Sequence, residues 1–205
     1  MIALIDYGAG NLTSVRKALT ALDAEFMTPR SPDECADASG LIVPGVGNFA
    51  ATAALEGPWR DAIAKAVASG TPLLGICLGM QWLFEGSDEA PEVGGLAVLP
   101  GRVSKLRGDA AQRLKIPHVG WNALDAPQSF RGRLLAGLPL HAHVYFTHSY
   151  AAPVTADCVA STTHAESFAS VVERDHMFGV QFHPEKSGEA GLQILRNFLM
   201  VCRTC

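Results

Sequence analysis

The chain has 205 residues, 48% of them hydrophobic and 18% charged, with a formal net charge of −4. That composition suits one domain with a sizeable core, and the acidic balance, with no Lys/Arg block, argues against nucleic acid or an anionic membrane surface as partner. No apolar run approaches the roughly 18 residues of a membrane span. The start "MIALIDYG" lacks a basic leader and a cleavage site and reads as a strand. Five scattered cysteines read as free thiols in a reducing cytoplasm.

In chain order, "IALID" (2–6) is a strand, and Asn11 is the expected N-cap of a helix carrying Leu12, Val15, Leu19 and Leu22 at helical spacing. "LIVPG" (41–45) is a second, buried strand. A helix over 58–69 opens at Pro58, "PLLGI" (72–76) is a strand, and 78–85 is a helix. Strands follow at "LAVL" (96–99), "HVYFTH" (143–148), "CVAST" (158–162), "FASVVE" (168–173) and "FGVQF" (178–182). A surface loop is expected around 101–113, and a last helix over about 187–202 with Leu192, Leu195 and Leu199 on one face. Strands interleaved with helices predict an α/β fold, a mostly parallel central sheet flanked by helices, and the close spacing of the later strands predicts an antiparallel extension. No repeat or linker divides the chain, so a single domain over 1–205 is expected.

Candidate chemistry sits at three places. Gly75-Ile-Cys77-Leu-Gly79 has the form of a nucleophile elbow with cysteine in place of serine. A sharp strand-to-helix turn leaves no room for side chains two residues either side of the nucleophile, and a thiol at a helix N-terminus is favoured as thiolate. The Leu78 N–H is then placed to meet a developing oxyanion. The alternative is a buried structural cysteine between packing glycines. In "GVQFHPEKS" (179–187), His183 and Glu185 lie two apart in an extended segment and share a side. One can act as base while the other fixes its tautomer; the alternative is a surface histidine beside an unrelated glutamate. "PGVGNF" (44–49) follows a strand, and Gly45 and Gly47 let its backbone present N–H groups to an anion; the alternative is an ordinary glycine turn.

Other features carry plainer readings. His141-Ala-His143 is incidental, so no metal is expected. Cys202-Arg-Thr-Cys205 has redox spacing at what reads as a frayed terminus, "DYGAGN" (6–11) is a turn, and Met80 and Trp82 are packing residues.

Together, "GICLGMQ", "PHVGWN", "YFTHSY", "GVQFHPEKS", "DYGAGN" and "PGVG" resemble the glutaminase subunits of imidazole glycerol phosphate synthases, class I glutamine amidotransferases of histidine biosynthesis. The resemblance runs from residue 4 to about 200. It implies that Cys77 attacks the side-chain amide of glutamine to form a thioester, that His183 moves the protons, and that Glu185 orients His183. By the same carry-over Gly45, Gln81, Glu89, Ser149 and Tyr150 line the glutamine pocket, partly through backbone groups. Apart from the resemblance, the elbow makes Leu78 one expected oxyanion donor, and Val46, between Gly45 and Gly47, is the expected second, its N–H turning inward only when the partner holds its ligand. Asn11, Trp121, Tyr145 and Lys186 match positions at the subunit interface or gate. The implied partner is a separate (β/α)8-barrel cyclase in a heterodimer, using the ammonia and PRFAR to make imidazole glycerol phosphate and AICAR; no cofactor is implied. Competing readings are a class I glutaminase serving another synthase, a stand-alone hydrolase of glutamyl compounds, and a non-catalytic regulatory subunit on the same fold.

Overall fold

The computed structural model describes residues 1–10, 12–108, 114–126 and 132–204. The N-cap expected at Asn11, residues 109–113 of the expected 101–113 loop and Cys205 lie outside the described residues; the described part of that loop holds the short strand Ser104–Lys105. In chain order the elements are β1 (Ile2–Leu4), α1 (Leu12–Ala21), β2 (Phe26–Met27), β3 (Gly40–Gly45), α2 (Pro58–Ala68), β4 (Leu73–Cys77), α3 (Leu78–Trp82), β5 (Ser104–Lys105), β6 (His118–Ala123) and β7 (His143–His148). They are followed by β8 (Tyr150–Ala151), β9 (Cys158–His164), β10 (Glu166–Arg174), β11 (Met177–Val180) and α4 (Gly188–Thr204). One seven-stranded sheet runs in the order β2-β1-β3-β4-β11-β10-β9. Its members from β2 to β11 are parallel, and β10 and β9 extend it antiparallel.

The alternation of side chains along the strands builds a core on each side of this sheet. Ile2, Leu4, Ile42, Leu74 and Ile76 face one side, where Val15 and Leu19 of α1 and Ile194, Leu195 and Phe198 of α4 cover them. Ala3, Leu41, Val43 and Leu73 face the other, under Ile63 and Ala66 of α2 and Met80 and Trp82 of α3. Each fully buried Leu, Ile or Phe contributes about 1.5–3 kcal/mol. With both faces covered, β3 and β4 are buried at every residue, the pattern of central parallel strands.

Four expectations differ from the structure for identifiable reasons. The helix expected over 78–85 ends at Trp82, and "LAVL" is not a strand. Both follow from one set of bonds: the Leu96, Val98 and Leu99 N–H groups donate to the carbonyls of Trp82, Leu83 and again Leu83, so this segment caps the helix end instead of joining a sheet. The strand expected to reach residue 182 stops at Val180; the Gln181 N–H still donates to the Ser170 carbonyl of β10, but two residues on the His183 N–H donates to the Tyr145 carbonyl instead. Cys202 does not lie at a frayed end but is buried in α4. "HVYFTH" does form β7, paired antiparallel with β6 in a two-stranded ribbon separate from the main sheet.

Candidate active site

The site lies at the C-terminal ends of neighbouring parallel strands, where open α/β sheets place their ligands. Register sets it out: Gly45 at the end of β3 pairs with Cys77 at the end of β4, and Val180 at the end of β11 pairs with Ile76. Three loops therefore start side by side.

Cys77 joins β4 to α3 with φ 53° and ψ −105°, a left-handed conformation that costs a non-glycine residue on the order of 1–3 kcal/mol. The elbow tolerates no side chain at its flanks. A Cβ on Gly75 would lie 2.5 Å from the Gly79 carbonyl oxygen, and one on Gly79 would overlap the Val43 carbonyl. Leu78 is the first residue of α3, so its N–H has no carbonyl within the helix to reach. With only five residues, α3 supplies a weaker dipole to the thiol than the expected eight-residue helix would.

His183 and Glu185 meet as expected but along a different backbone. Pro184–Lys186 is a 3-10 turn, with His183 extended just before it. The His183 Nδ1 lies 2.8 Å from Glu185 Oε1, with both side chains 2% exposed. Burial alone would lower the His183 pKa, but the nearby Cys77 sulfur and the Glu185 carboxylate, as hydrogen-bonding and anionic neighbours, outweigh it and raise it from 6.5 to about 10. The ring is thus held by one carboxylate, while Nε2 is buried without a hydrogen-bond partner and is free to exchange a proton with the thiol. Such hydrogen bonds are often completed only with substrate in place.

A cavity of about 260 Å³ opens beside Cys77, and Val46, Leu78, Gln81, Glu89, Ser149 and Tyr150 are on its wall. Gly45 is not on the wall; it packs against Leu78 and the Tyr7 hydroxyl, which a Cβ there would strike. Glu89 accepts the Phe49 N–H at 2.8 Å and so anchors the chain just past the 44–47 loop. Gln81 Nε2 donates to the Tyr150 carbonyl at 2.8 Å. The Val46 N–H donates to the Ala9 carbonyl at 2.6 Å, and Gly47 at φ +100° has nothing within 4 Å of where its Cβ would be.

The remaining expected residues cluster on the surface. Trp121 on β6 is 56% exposed, not a core aromatic. Its ring stands edge-on to Tyr145 at 6.2 Å between centroids, and Lys186 Nζ lies 5.9 Å from the Tyr145 ring centroid. The Tyr145 carbonyl is the acceptor of the His183 N–H at 2.9 Å, so this patch and the His183–Glu185 pair share a backbone bond. Asn11 lies outside the described residues. Among the described residues no cluster of three or more His, Cys, Asp or Glu could hold a metal, and no helix is long and apolar enough to cross a membrane.

Sequence reasoning missed Tyr7, Gln181 and His148. Tyr7 was read as part of a turn, but its hydroxyl is buried without a partner, and burial, then the nearby Cys77, pushes its pKa upward. His148 is on the cavity wall. Only Gln181 carried a local signal, two residues before His183.

The sheet thus carries a cysteine elbow and a buried His–Glu pair at the same end, and comparison with known proteins gives the class of the chain. A family model described as glutamine amidotransferase class-I matches residues 3–202, and the chain belongs to that family. Within it, the chain is similar to proteins named "Imidazole glycerol phosphate synthase subunit HisH". The one from Moorella thermoacetica is 46% identical over 201 residues, covering 96% of this chain and 93% of that one. The one from Natronomonas pharaonis is 43% identical over 210 residues, covering 98% and 94%. A solved structure titled "Crystal structure of glutamine amidotransferase" superposes with a TM-score of 0.75 at 20% identity, covering 98% of each chain, a likeness of fold.

Proposed function

We propose that this chain, as a single glutamine amidotransferase domain, hydrolyses glutamine to glutamate and ammonia and passes the ammonia to a separate (β/α)8-barrel cyclase in a cytoplasmic heterodimer. The cyclase would use it with PRFAR to make imidazole glycerol phosphate and AICAR. The observation that carries this reading is the convergence of Cys77, strained at its elbow, with the buried His183–Glu185 pair beside a small polar cavity. The near-full-length similarity to HisH subunits supports the choice of synthase.

In the proposed cycle the proton of Cys77 already rests on His183, whose pKa is raised to about 10, and Sγ attacks the carboxamide carbon of glutamine as the thiolate. The oxyanion is met by the Leu78 N–H and, after the Gly45–Val46 peptide rotates, by the Val46 N–H. His183 returns the proton to the departing nitrogen as ammonia leaves, and a γ-glutamyl thioester remains on Cys77. A water deprotonated by His183 then releases glutamate. Glu185 holds the ring through Nδ1 throughout, the orienting role of a triad acid. At rest the Val46 N–H is engaged by Ala9, which makes an idle chain a slow glutaminase. Gln81, Glu89, Ser149 and Tyr150 hold the substrate, and Trp121, Tyr145 and Lys186, with Asn11, would face the cyclase.

The test is ammonia release from glutamine by the purified chain alone, with a barrel cyclase, and with cyclase plus PRFAR. The reading expects slow release alone and strong stimulation in the full mixture. Rapid release by the isolated chain, unaffected by cyclase and PRFAR, would point to a stand-alone hydrolase.

A further inference from the structure

The proposed cycle does not use Gln181. This residue is fully buried, follows β11, and by the register of that strand against β4 stands level with Cys77. Its Nε2 lies 3.7 Å from Cys77 Sγ, within hydrogen-bond reach of a sulfur.

Which end of the amide faces the sulfur follows from one atom. The Tyr150 carbonyl oxygen can only accept, and it lies 2.8 Å from Gln81 Nε2 and 2.9 Å from His148 Nδ1. Gln81 must therefore turn its NH2 toward it. The same NH2 is 3.1 Å from Gln181 Oε1, so the acceptor end of Gln181 faces Gln81 and its NH2 faces Sγ. The reversed amide would set NH2 against NH2 and oxygen against sulfur.

The Tyr150 carbonyl is itself fixed from behind. His148 donates through Nδ1, so its Nε2 accepts from His118 Nδ1 at 3.1 Å. His118 Nε2 then accepts from Asn122 Nδ2 at 3.4 Å, which also donates to the Thr163 carbonyl at 3.1 Å. Burial, with neighbouring histidines adding to it, lowers His118 to about 4 and, against the hydrogen bond to Tyr150, His148 to about 3, so both rings are neutral and the donor–acceptor order along the chain is unique. A satisfied buried chain of this kind holds its members in one arrangement.

We propose that Gln181 is a further catalytic residue, donating its Nε2–H to the Cys77 sulfur and stabilising the thiolate separately from His183 and the oxyanion donors. A hydrogen bond to a charged acceptor is stronger than one to a neutral acceptor, so the donor favours thiolate over thiol. It also restrains Sγ where the cavity opens. The proposal rests on Cys77 being the nucleophile.

The test is alkylation of Cys77 by iodoacetamide in the intact chain without glutamine, read from the mass of the Cys77 peptide, alongside glutaminase kinetics of the cyclase complex. Gln181→Met keeps the length and removes the donor. It should slow alkylation at neutral pH on the order of tenfold and lower kcat by a similar factor, with KM little changed. A folded Gln181→Met protein alkylated as fast as wild type overturns the proposal. Gln181→Glu keeps the shape and the acceptor for Gln81 but sets an oxygen against the sulfur. It should stay slow even as pH rises, and wild-type rates in this variant overturn the proposal equally if the Met variant does not fold. Failure of the nucleophile reading looks different: wild-type Cys77 would then alkylate no faster than the half-buried Cys158.

Discussion

The Val46 amide and the Ala9 carbonyl, 2.6 Å apart, tie the loop after β3 to the loop after β1 and turn a potential oxyanion donor away from Cys77. The bond closes a short path from the N-terminal turn to the elbow, because Tyr7 in that turn also packs its hydroxyl against Gly45. Freeing the Val46 N–H requires breaking one backbone hydrogen bond, worth net about 0.5–1.5 kcal/mol, a cost that differential binding to a partner can supply.

Val46→Pro removes the N–H and with it both the resting bond and the proposed second donor. In the cyclase complex with PRFAR, kcat for glutamine should fall by about 10²–10³, the usual consequence of losing one oxyanion donor, with KM little changed. Proline also restricts Gly45, so thermal unfolding and complex formation are the controls. Normal stimulated turnover in a folded, complexed variant would rule the gate out.

The His183–Glu185 pair predicts a pH effect on stability. The folded-state pKa of His183, about 10, is above its ordinary 6.5. A raised pKa of this kind adds stability that is fully present below 6.5 and is lost as pH climbs through about 10. In Glu185→Gln the anionic partner is gone, so the folded-state pKa drops and less stability is lost over the same interval. Urea unfolding midpoints measured across this range should fall more steeply for wild type than for Glu185→Gln; parallel curves would contradict the assignment.

Gly79→Ala places a Cβ on the Val43 carbonyl oxygen, and backbone cannot yield there as a flexible side chain could. A loss of stability of about 1–3 kcal/mol or more is expected, read as a lower thermal midpoint. The elbow was legible in the sequence for this reason: the spacing of Gly75, Cys77 and Gly79 is a local steric demand. The His183–Glu185 pairing was legible as well, although the 3-10 turn that makes it was not.

What could not be read depended on partners distant in the chain. "LAVL" carries strand-forming residues but is captured by carbonyls at the end of α3. β6, with His118, Gly120 and Asn122, has weak strand character and is held by its pairing with β7. The role of Tyr7 appears only where it meets Gly45, and the orientation of Gln181 only through Gln81 and Tyr150.

The Trp121–Tyr145–Lys186 patch predicts a separation of coupling from stability. Trp121 is 56% exposed, and substitutions at such positions usually change stability within about 0.5 kcal/mol. Trp121→Ala and Lys186→Ala should leave the thermal midpoint of the free chain nearly unchanged while weakening cyclase binding or PRFAR stimulation of glutaminase several-fold. Equal losses of stability and stimulation would show the patch to be structural.

The most direct test of the account is to quench the cyclase complex in acid while it turns over glutamine and to measure the mass of the Cys77 peptide. The account predicts a γ-glutamyl adduct on Cys77 in wild type. In Cys77→Ala it predicts no adduct and no glutamine hydrolysis, while added ammonium salt still supports the synthase reaction. Continued glutamine hydrolysis by a folded Cys77→Ala protein would contradict it.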